Sequence, residues 1–391
     1  VEVFAVSPRS AQLTWRGAPP GPVRIRVGDR ETIAASVHGT GAVEVHGLEP
    51  DTVHPVEVLV GGRTVRLEAR TLPEPSGRRL ARVATLSDLH LGEQAFGLFA
   101  RRAEHPPPTV LHPERCTRAA LTAAVAWGAE LIVLKGDLTH KGRPEEWDAL
   151  DALLGEVPVP VLLMAGNHDH GRGAGTAAEE LARRGHPPAP VRVHDHAGLR
   201  LVLVDTTGRR NGGTLDPAAA AAAGAHAAAW DGPVLVCTHH HLHRLPFGWF
   251  WPPGVPKRQA DRLLAAVAEA TPRALVTSGH THRHRRHHRA VPVTEVGSPK
   301  DFPGVWAGYD IHEDGIVQVV RRIEDPDCIA WTESCRHAVS GWWGRWSPGT
   351  LDQRCLTVPV PAAGPISAAT TPASTATPAS TATAQSAGRT S

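Results

Sequence analysis

Residues 130–169 read ELIVLKGDLTHKGRPEEWDALDALLGEVPVPVLLMAGNHD. An apolar run ends in Gly136-Asp137, a helix-spaced stretch follows from Pro144, and a second apolar run ends in Gly166-Asn167-His168-Asp169. Two buried-type strands joined by a helix predict a parallel βαβ unit. The rhythm continues on both sides. ARVATLS (81–87), LRLVLVD (199–205), PVLVCT (233–238) and RALVTS (273–278) alternate with RCTRAALTAAVAWG, AAEELARRG, DPAAAAAAGAHAAAW and KRQADRLLAAVAEA. Residues 80–325 therefore predict an α/β domain with helices over both sheet faces, and the runs AVPVTEVG, VWAGYDIHEDG and IVQVVRRIE near its end predict added hairpin strands.

The flanks differ. Residues 1–72 consist of short alternating segments (AQLTWRG, VRIRVG, AVEVHGL, HPVEVLVGG, TVRLEART) punctuated by Gly, Pro and Asp, the pattern of a small all-β sandwich. A Pro-rich linker over 73–79 follows. Residues 326–358 hold tryptophans and cysteines without a readable period, and 359–391 form an Ala/Thr/Pro/Ser tail, with TPASTA in tandem over 371–382, expected to be disordered.

Composition sets limits. Forty-one basic against thirty-nine acidic residues give a net charge of +2, so no global field draws the chain to nucleic acid or membrane. There is no basic start followed by an apolar stretch and no run of about 18 apolar residues, which predicts a cytoplasmic setting and no membrane partner. Cys116, Cys237, Cys328, Cys335 and Cys355 show no CxxC spacing and are expected to be buried reduced thiols, with pairing or a structural metal open for the last three. Oligomeric state is not readable.

Five apolar strands run into polar clusters: Asp88-Leu89-His90, Gly136-Asp137, Gly166-Asn167-His168-Asp169, His239-His240-His241 and Gly279-His280-Thr281-His282. In an open α/β sheet the carboxyl ends of strands form one rim where ligands bind, so these clusters should converge. Imidazole nitrogens, carboxylate oxygens and an amide oxygen without thiolate suit Mn, Fe or Zn. Such a set exceeds the needs of one ion, and two ions about 3.5–4 Å apart serve in-line displacement at phosphorus. Two other Asp/His clusters, His194-Asp195-His196 and Asp310-Ile311-His312, lack this context: Asp195 reads as a residue between hydrophilic loops and Asp310 as part of an alternating strand.

Asp88-x-His90, Gly136-Asp137, Gly166-Asn167-His168-Asp169, His239 and Gly279-His280-x-His282, in this order, resemble the calcineurin-like metallophosphoesterase superfamily, nearest its class III cyclic-nucleotide phosphodiesterase branch. The resemblance implies a four-layer sandwich, two mixed β-sheets flanked by helices. It implies one metal held by Asp88, His90 and His282, a second by Asn167, His239 and His280, and Asp137 bridging both. His239 is preferred to His240 because the family's ligand is the first histidine of its run. A metal-bridging hydroxide would attack the phosphorus of a small phosphomonoester or phosphodiester, His168 would contact the phosphate and protonate the leaving oxygen, and Asp169 would orient His168. His284, His287 and His288 fall beyond the motif and are expected to be solvated or near the phosphate.

Purple acid phosphatases are similar in carrying a front β-domain, but their tyrosine ligand is missing, the only tyrosine being Tyr309. Residues 1–72 resemble a fibronectin type III domain through Trp15 in AQLTW and through GLEPDTVHPVEV, where His54 stands in place of the family's corner tyrosine. SDLHLG also occurs in nucleases of the superfamily, which the near-neutral charge disfavours. A binding or scaffold protein with a degenerate centre is the reading from another class. It requires a missing ligand.

Overall fold

The structure, a computed structural model, describes residues 1–97, 102–106, 108–170, 176–208, 211–245 and 251–360. The predicted tail beyond 360 lies outside the described residues.

In the front part, Glu2–Val6, Ser10–Arg16 and Thr40–His46 form one antiparallel sheet, and Arg30–Ser36, Gly21–Val27, Val53–Val60 and Arg63–Arg70 form another. Gly21–Val27 shows why: Val23, Ile25 and Val27 are fully buried while Arg24 and Arg26 face solvent, the period of two that a half-buried strand requires. Trp15 lies in this core. His54 Nε2 sits 3.0 Å from the Glu49 carbonyl. The histidine thus makes the bond back to upstream backbone that a corner tyrosine makes.

The larger part holds two six-stranded sheets. The first runs Val161–Met164, Leu131–Lys135, Arg79–Leu86, Val305–His312, Gly315–Arg322 and Cys355–Pro359; its first three strands are parallel and the rest antiparallel. The second runs Val191–His196, Leu199–Val204, Val234–Thr238, Ala274–Ser278, Pro292–Glu295 and Arg285–His288, parallel in its middle and antiparallel at both edges. Their inner faces share one core. Leu131 and Val133 point into it with Leu235 and Leu275, while Ile132 and Leu134 point outward beneath the helices His112–Trp127 and Pro144–Gly155. Val202, Val236 and Val276 meet the helices Pro217–Ala228 and Lys257–Ala270 on the far side. The result is the four-layer α/β sandwich.

Three sequence readings change. Residues 326–358, which show no readable period in the sequence, hold regular elements: Pro326–Cys335 is a helix capped by Asp325, and Cys355–Pro359 is the edge strand of the first sheet. Asp195 lies in the edge strand Val191–His196, paired with Arg200, rather than between loops. The stretch beyond the last motif, which holds His284, His287 and His288, contains a strand, Arg285–His288.

All five cysteines are free and buried. Among the described residues no helix is long and apolar enough to cross a membrane.

The front sandwich is fused to the first sheet. Gln12 exchanges two 2.9 Å hydrogen bonds with the backbone of Arg322, Glu44 receives Arg321 Nε at 3.1 Å, and Val6 N–H reaches Cys355 Sγ at 3.3 Å. Phe4, Val6, Val317 and Val358 belong to one hydrophobic core.

Candidate metal centre

Each candidate ligand follows the carboxyl end of a parallel strand. Asp88 and His90 follow Arg79–Leu86, Asp137 follows Leu131–Lys135 and Asn167 follows Val161–Met164; His239 follows Val234–Thr238, and His280 and His282 follow Ala274–Ser278. Backbone bonds join the loops: Asp88 N–H donates to the Gly136 carbonyl (3.0 Å), His90 N–H to that of Asp137 (2.9 Å) and Gly279 N–H to that of His239 (3.0 Å). The Lys135 carbonyl, 2.8 Å from His239 Nδ1, links the two sheets. Gly136 makes this approach possible, since a Cβ there would stand 2.6 Å from His239 Nδ1 and its φ is +89°. Asp88, His90, Asp137, His280 and His282 themselves have φ from 48° to 69°. That region costs a residue with a Cβ about 1–3 kcal/mol and persists at sites whose surroundings impose it.

The side chains converge. Asp88 Oδ1 is 3.4 Å from His282 Nε2. Asp137 turns one oxygen to His90 Nε2 (3.5 Å) and the other to His239 Nε2 (3.3 Å), and Asn167 Oδ1 lies 3.2 Å from that same His239 nitrogen. Ligand atoms of Asp88, His90 and His282 all lie within 4.8 Å of one another, as do those of Asp88, Asp137 and His239, and those of His239, His240 and His280. His240 is thus brought to the centre although the sequence reading set it aside; its Nδ1 meets Thr206 Oγ1 at 3.0 Å and its Nε2 is buried without a partner among the described residues.

The donor set fits cations. Three imidazoles have one nitrogen fixed on an oxygen acceptor, so that the other can turn a lone pair to a cation once it carries no proton: His239 Nδ1 on Lys135, His282 Nδ1 on Asp301 Oδ2 (2.6 Å) and His280 Nε2 on the Pro253 carbonyl (3.1 Å). Both nitrogens of His90 are buried with no hydrogen-bond partner among the described residues, beside buried Asp88 and Asp137. Burial, followed by the charges of Lys300 and His168, holds His90 well below the usual imidazole range, which favours the neutral form that a metal requires. His280 is likewise depressed by burial and then by His239. Burial would raise the Asp137 carboxyl, but His239, His90 and His168 outweigh it and hold it well below the usual range. His239 is opposed by burial yet pushed up to about 9 by Asp137. That position attracts positive charge, and a metal entering it displaces a proton.

Other expected roles change. Asp169 does not touch His168 through a hydrogen bond: its Oδ1 accepts from Thr139 N–H and Oγ1–H, both at 2.8 Å, and its Oδ2 accepts from Gly166 N–H at 2.7 Å. It fastens two ligand loops together, because the turn at 167–169 directs its side chain back under them. Burial and then Asp137 push its carboxyl up to about 6. His168 is fixed instead by the His140 carbonyl, 3.1 Å from Nδ1, and its ring lies 4.5 Å from that of His90. His284 and His287 are not solvated. His284 is pushed down to about 3 by burial and then by Arg354, and His287 Nε2 meets Glu295 Oε1 at 2.8 Å. Tyr309 is buried between the sheets against Thr277 Oγ1 (2.8 Å), away from the ligand loops.

Two contributors escaped the sequence reading. Asp301, in SPKD, orients His282 and receives Trp343 Nε1 on its other oxygen at 3.2 Å. Lys135 is wholly buried below the centre, donating to Ser278 O (2.9 Å) and Thr277 Oγ1 (3.1 Å). A cavity of about 1240 Å³ opens over the ligands, lined by His90, Asn167, His168 and His282 and also by Trp343 and Arg345 of the C-terminal segment.

A family model described as calcineurin-like phosphoesterase matches residues 81–284. A probable cyclic nucleotide phosphodiesterase of Psychrobacter arcticus is 25% identical over 237 residues, covering 58% of this chain and 82% of that protein. The glycerophosphodiester phosphodiesterase GpdQ of Enterobacter lignolyticus is 29% identical over 157 residues, covering 39% of this chain and 56% of that protein. Among solved structures, a dimetal phosphatase from Danio rerio aligns with a TM-score of 0.49 at 15% identity, over 63% of this chain and 97% of that one.

Proposed function

Because the chain belongs to the calcineurin-like phosphoesterase family and is a metal-dependent phosphoester hydrolase, we propose that its substrate is a small phosphodiester. We assign one ion to Asp88, His90 and His282 and another to Asn167, His239 and His280, with Asp137 shared. The observation that carries the assignment is the set of imidazoles with one nitrogen fixed on an oxygen and the other turned to Asp88, Asp137 or Asn167. The nitrogen and oxygen donors suit manganese, iron or zinc. Bound there, such ions supply Lewis acidity toward phosphoryl oxygen and water.

The chain's own groups do the rest. Asp137 faces both positions with separate oxygens. His168, whose Nδ1 is fixed on the His140 carbonyl, presents Nε2 toward the cavity, where it hydrogen-bonds the phosphoryl group and delivers a proton to the leaving oxygen. Asp169 holds the loops that carry Asp137 and Asn167.

The preference for a diester is supported by two relatives, both named as phosphodiesterases. Manganese-loaded protein should hydrolyse bis(p-nitrophenyl) phosphate with a kcat/KM at least about tenfold above that for p-nitrophenyl phosphate; the reverse order overturns the preference. Asp137→Asn should bind fewer than two ions and lose at least about 100-fold in turnover, above the loss typical of outer-shell residues. Full metal content with full activity would refute its shared role. A scaffold with a degenerate centre needs a missing ligand, and all seven residues are present.

A further inference from the structure

Beyond the ligand loops, the cavity wall carries more positive charge than a simple phosphodiester requires. Its acidic lining residues are Glu93 and Asp137; Glu93 is paired with Lys300, and Asp137 faces His90 and His239. Arg283, Arg286 and Arg345 also line the cavity, and none has a carboxylate partner among the described residues.

Arg283 is a built feature rather than a surface cation. It is 8% exposed, its guanidinium lies 5.7 Å and 5.4 Å from the ring centroids of Trp343 and Trp346, its Nη2 donates to the Trp251 carbonyl at 2.9 Å, and its Nε is buried without a partner. Arg286 Nε is also buried without a partner. A buried guanidinium without a carboxylate partner is strongly unfavourable, and the one acidic group acting on Arg283, Glu295, is already bonded to His287 and Thr281. Two divalent ions against the carboxylates of Asp88 and Asp137 would already leave the centre cationic enough for the single charge of a diester. The arginines therefore answer to a different charge.

We propose that Arg283, Arg286 and Arg345 form a subsite for a second anionic group, a phosphate or a carboxylate, carried by the non-scissile part of the substrate. The proposal rests on the phosphoesterase reading above. Guanidinium forks match either group, and the cavity of about 1240 Å³ is large for a lone small diester. The C-terminal segment, which supplies Trp343, Arg345 and Trp346, thereby becomes a determinant of specificity.

Calorimetric titration of the manganese-loaded full chain tests it with two pairs of probes. Adenosine 5′-monophosphate against adenosine 3′,5′-bisphosphate differs by one phosphate, and glycerol 3-phosphate against 3-phosphoglycerate by one carboxylate. At least one pair should show a gain of about fivefold or more for the more anionic member, and the pair that does identifies the group. That gain should fall below fivefold in Arg286→Gln or in Arg345→Gln, made separately so that a variant that fails to fold does not decide the matter. Smaller gains in both pairs, or a gain kept in every folded variant, overturn the subsite. Hydrolysis of bis(p-nitrophenyl) phosphate by the unmutated protein separates the two failures. Turnover without the gain defeats the subsite alone, whereas no turnover with the gain intact defeats the phosphoesterase reading and leaves an anion site.

Discussion

At the scale of single residues, His282 shows how a candidate ligand depends on groups outside the proposed donor set. Its Nδ1 is held by Asp301, which is held in turn by Trp343 Nε1. Asp301→Asn should weaken metal affinity or turnover by about 10–100-fold, the usual cost of losing an outer-shell carboxylate; a metal titration that matches the unmutated protein would remove Asp301 from this role. The candidate ligands were legible because each polar cluster terminates an apolar strand, a local signal. Asp301 was not, because it lies 19 residues from His282 and no apolar strand runs into it. Asp169 was misread for the opposite reason: adjacency to His168 suggested contact, but the turn sends its oxygens to Thr139 and Gly166.

At the scale of elements, strands with an apolar period could be read and polar edge strands could not. Val191–His196 and Arg285–His288 carry charged and imidazole side chains, so no sustained apolar period of two marks them in the sequence. Arg285–His288 is anchored by His287 to Glu295, and Glu295 also accepts from Thr281 Oγ1 at 3.0 Å, between the candidate ligands His280 and His282. Burial would raise the Glu295 carboxyl, yet His287 and neighbouring cations hold it at about 2. A depressed carboxyl stabilises the fold above its unfolded value and loses that contribution as pH falls. Denaturant unfolding of metal-free protein should therefore show stability declining from about pH 4.5 toward about pH 2, and Glu295→Gln should flatten that decline. An unchanged slope would contradict the pairing. On the opposite face, Gly224 meets Ala266 so closely that a Cβ would stand 2.9 Å from the alanine's own. Gly224→Leu should cost about 1–3 kcal/mol by forcing apart Pro217–Ala228 and Lys257–Ala270, read as a lowered midpoint of thermal unfolding.

At the scale of the molecule, the alternating front segments announced a sandwich but not its attachment. Gln12 and Glu44, polar side chains of the front sandwich, bind Arg322 and Arg321 and bury the sandwich against the first sheet. One shared core predicts a single unfolding transition in scanning calorimetry; two separated transitions would show the parts to be independent. The last strand of the first sheet, Cys355–Pro359, pairs with Gly315–Arg322, and Cys355 also receives the N–H of Val6. During synthesis, Glu2–Val6 must wait for Cys355–Pro359, which lies 349 positions further along from Val6 to Cys355, before its seat is complete. The second sheet, drawn entirely from residues between 191 and 295, has no such delay. A nascent chain stalled short of residue 355 would display the unfinished edge of the first sheet, the part that a chaperone would have most reason to shield.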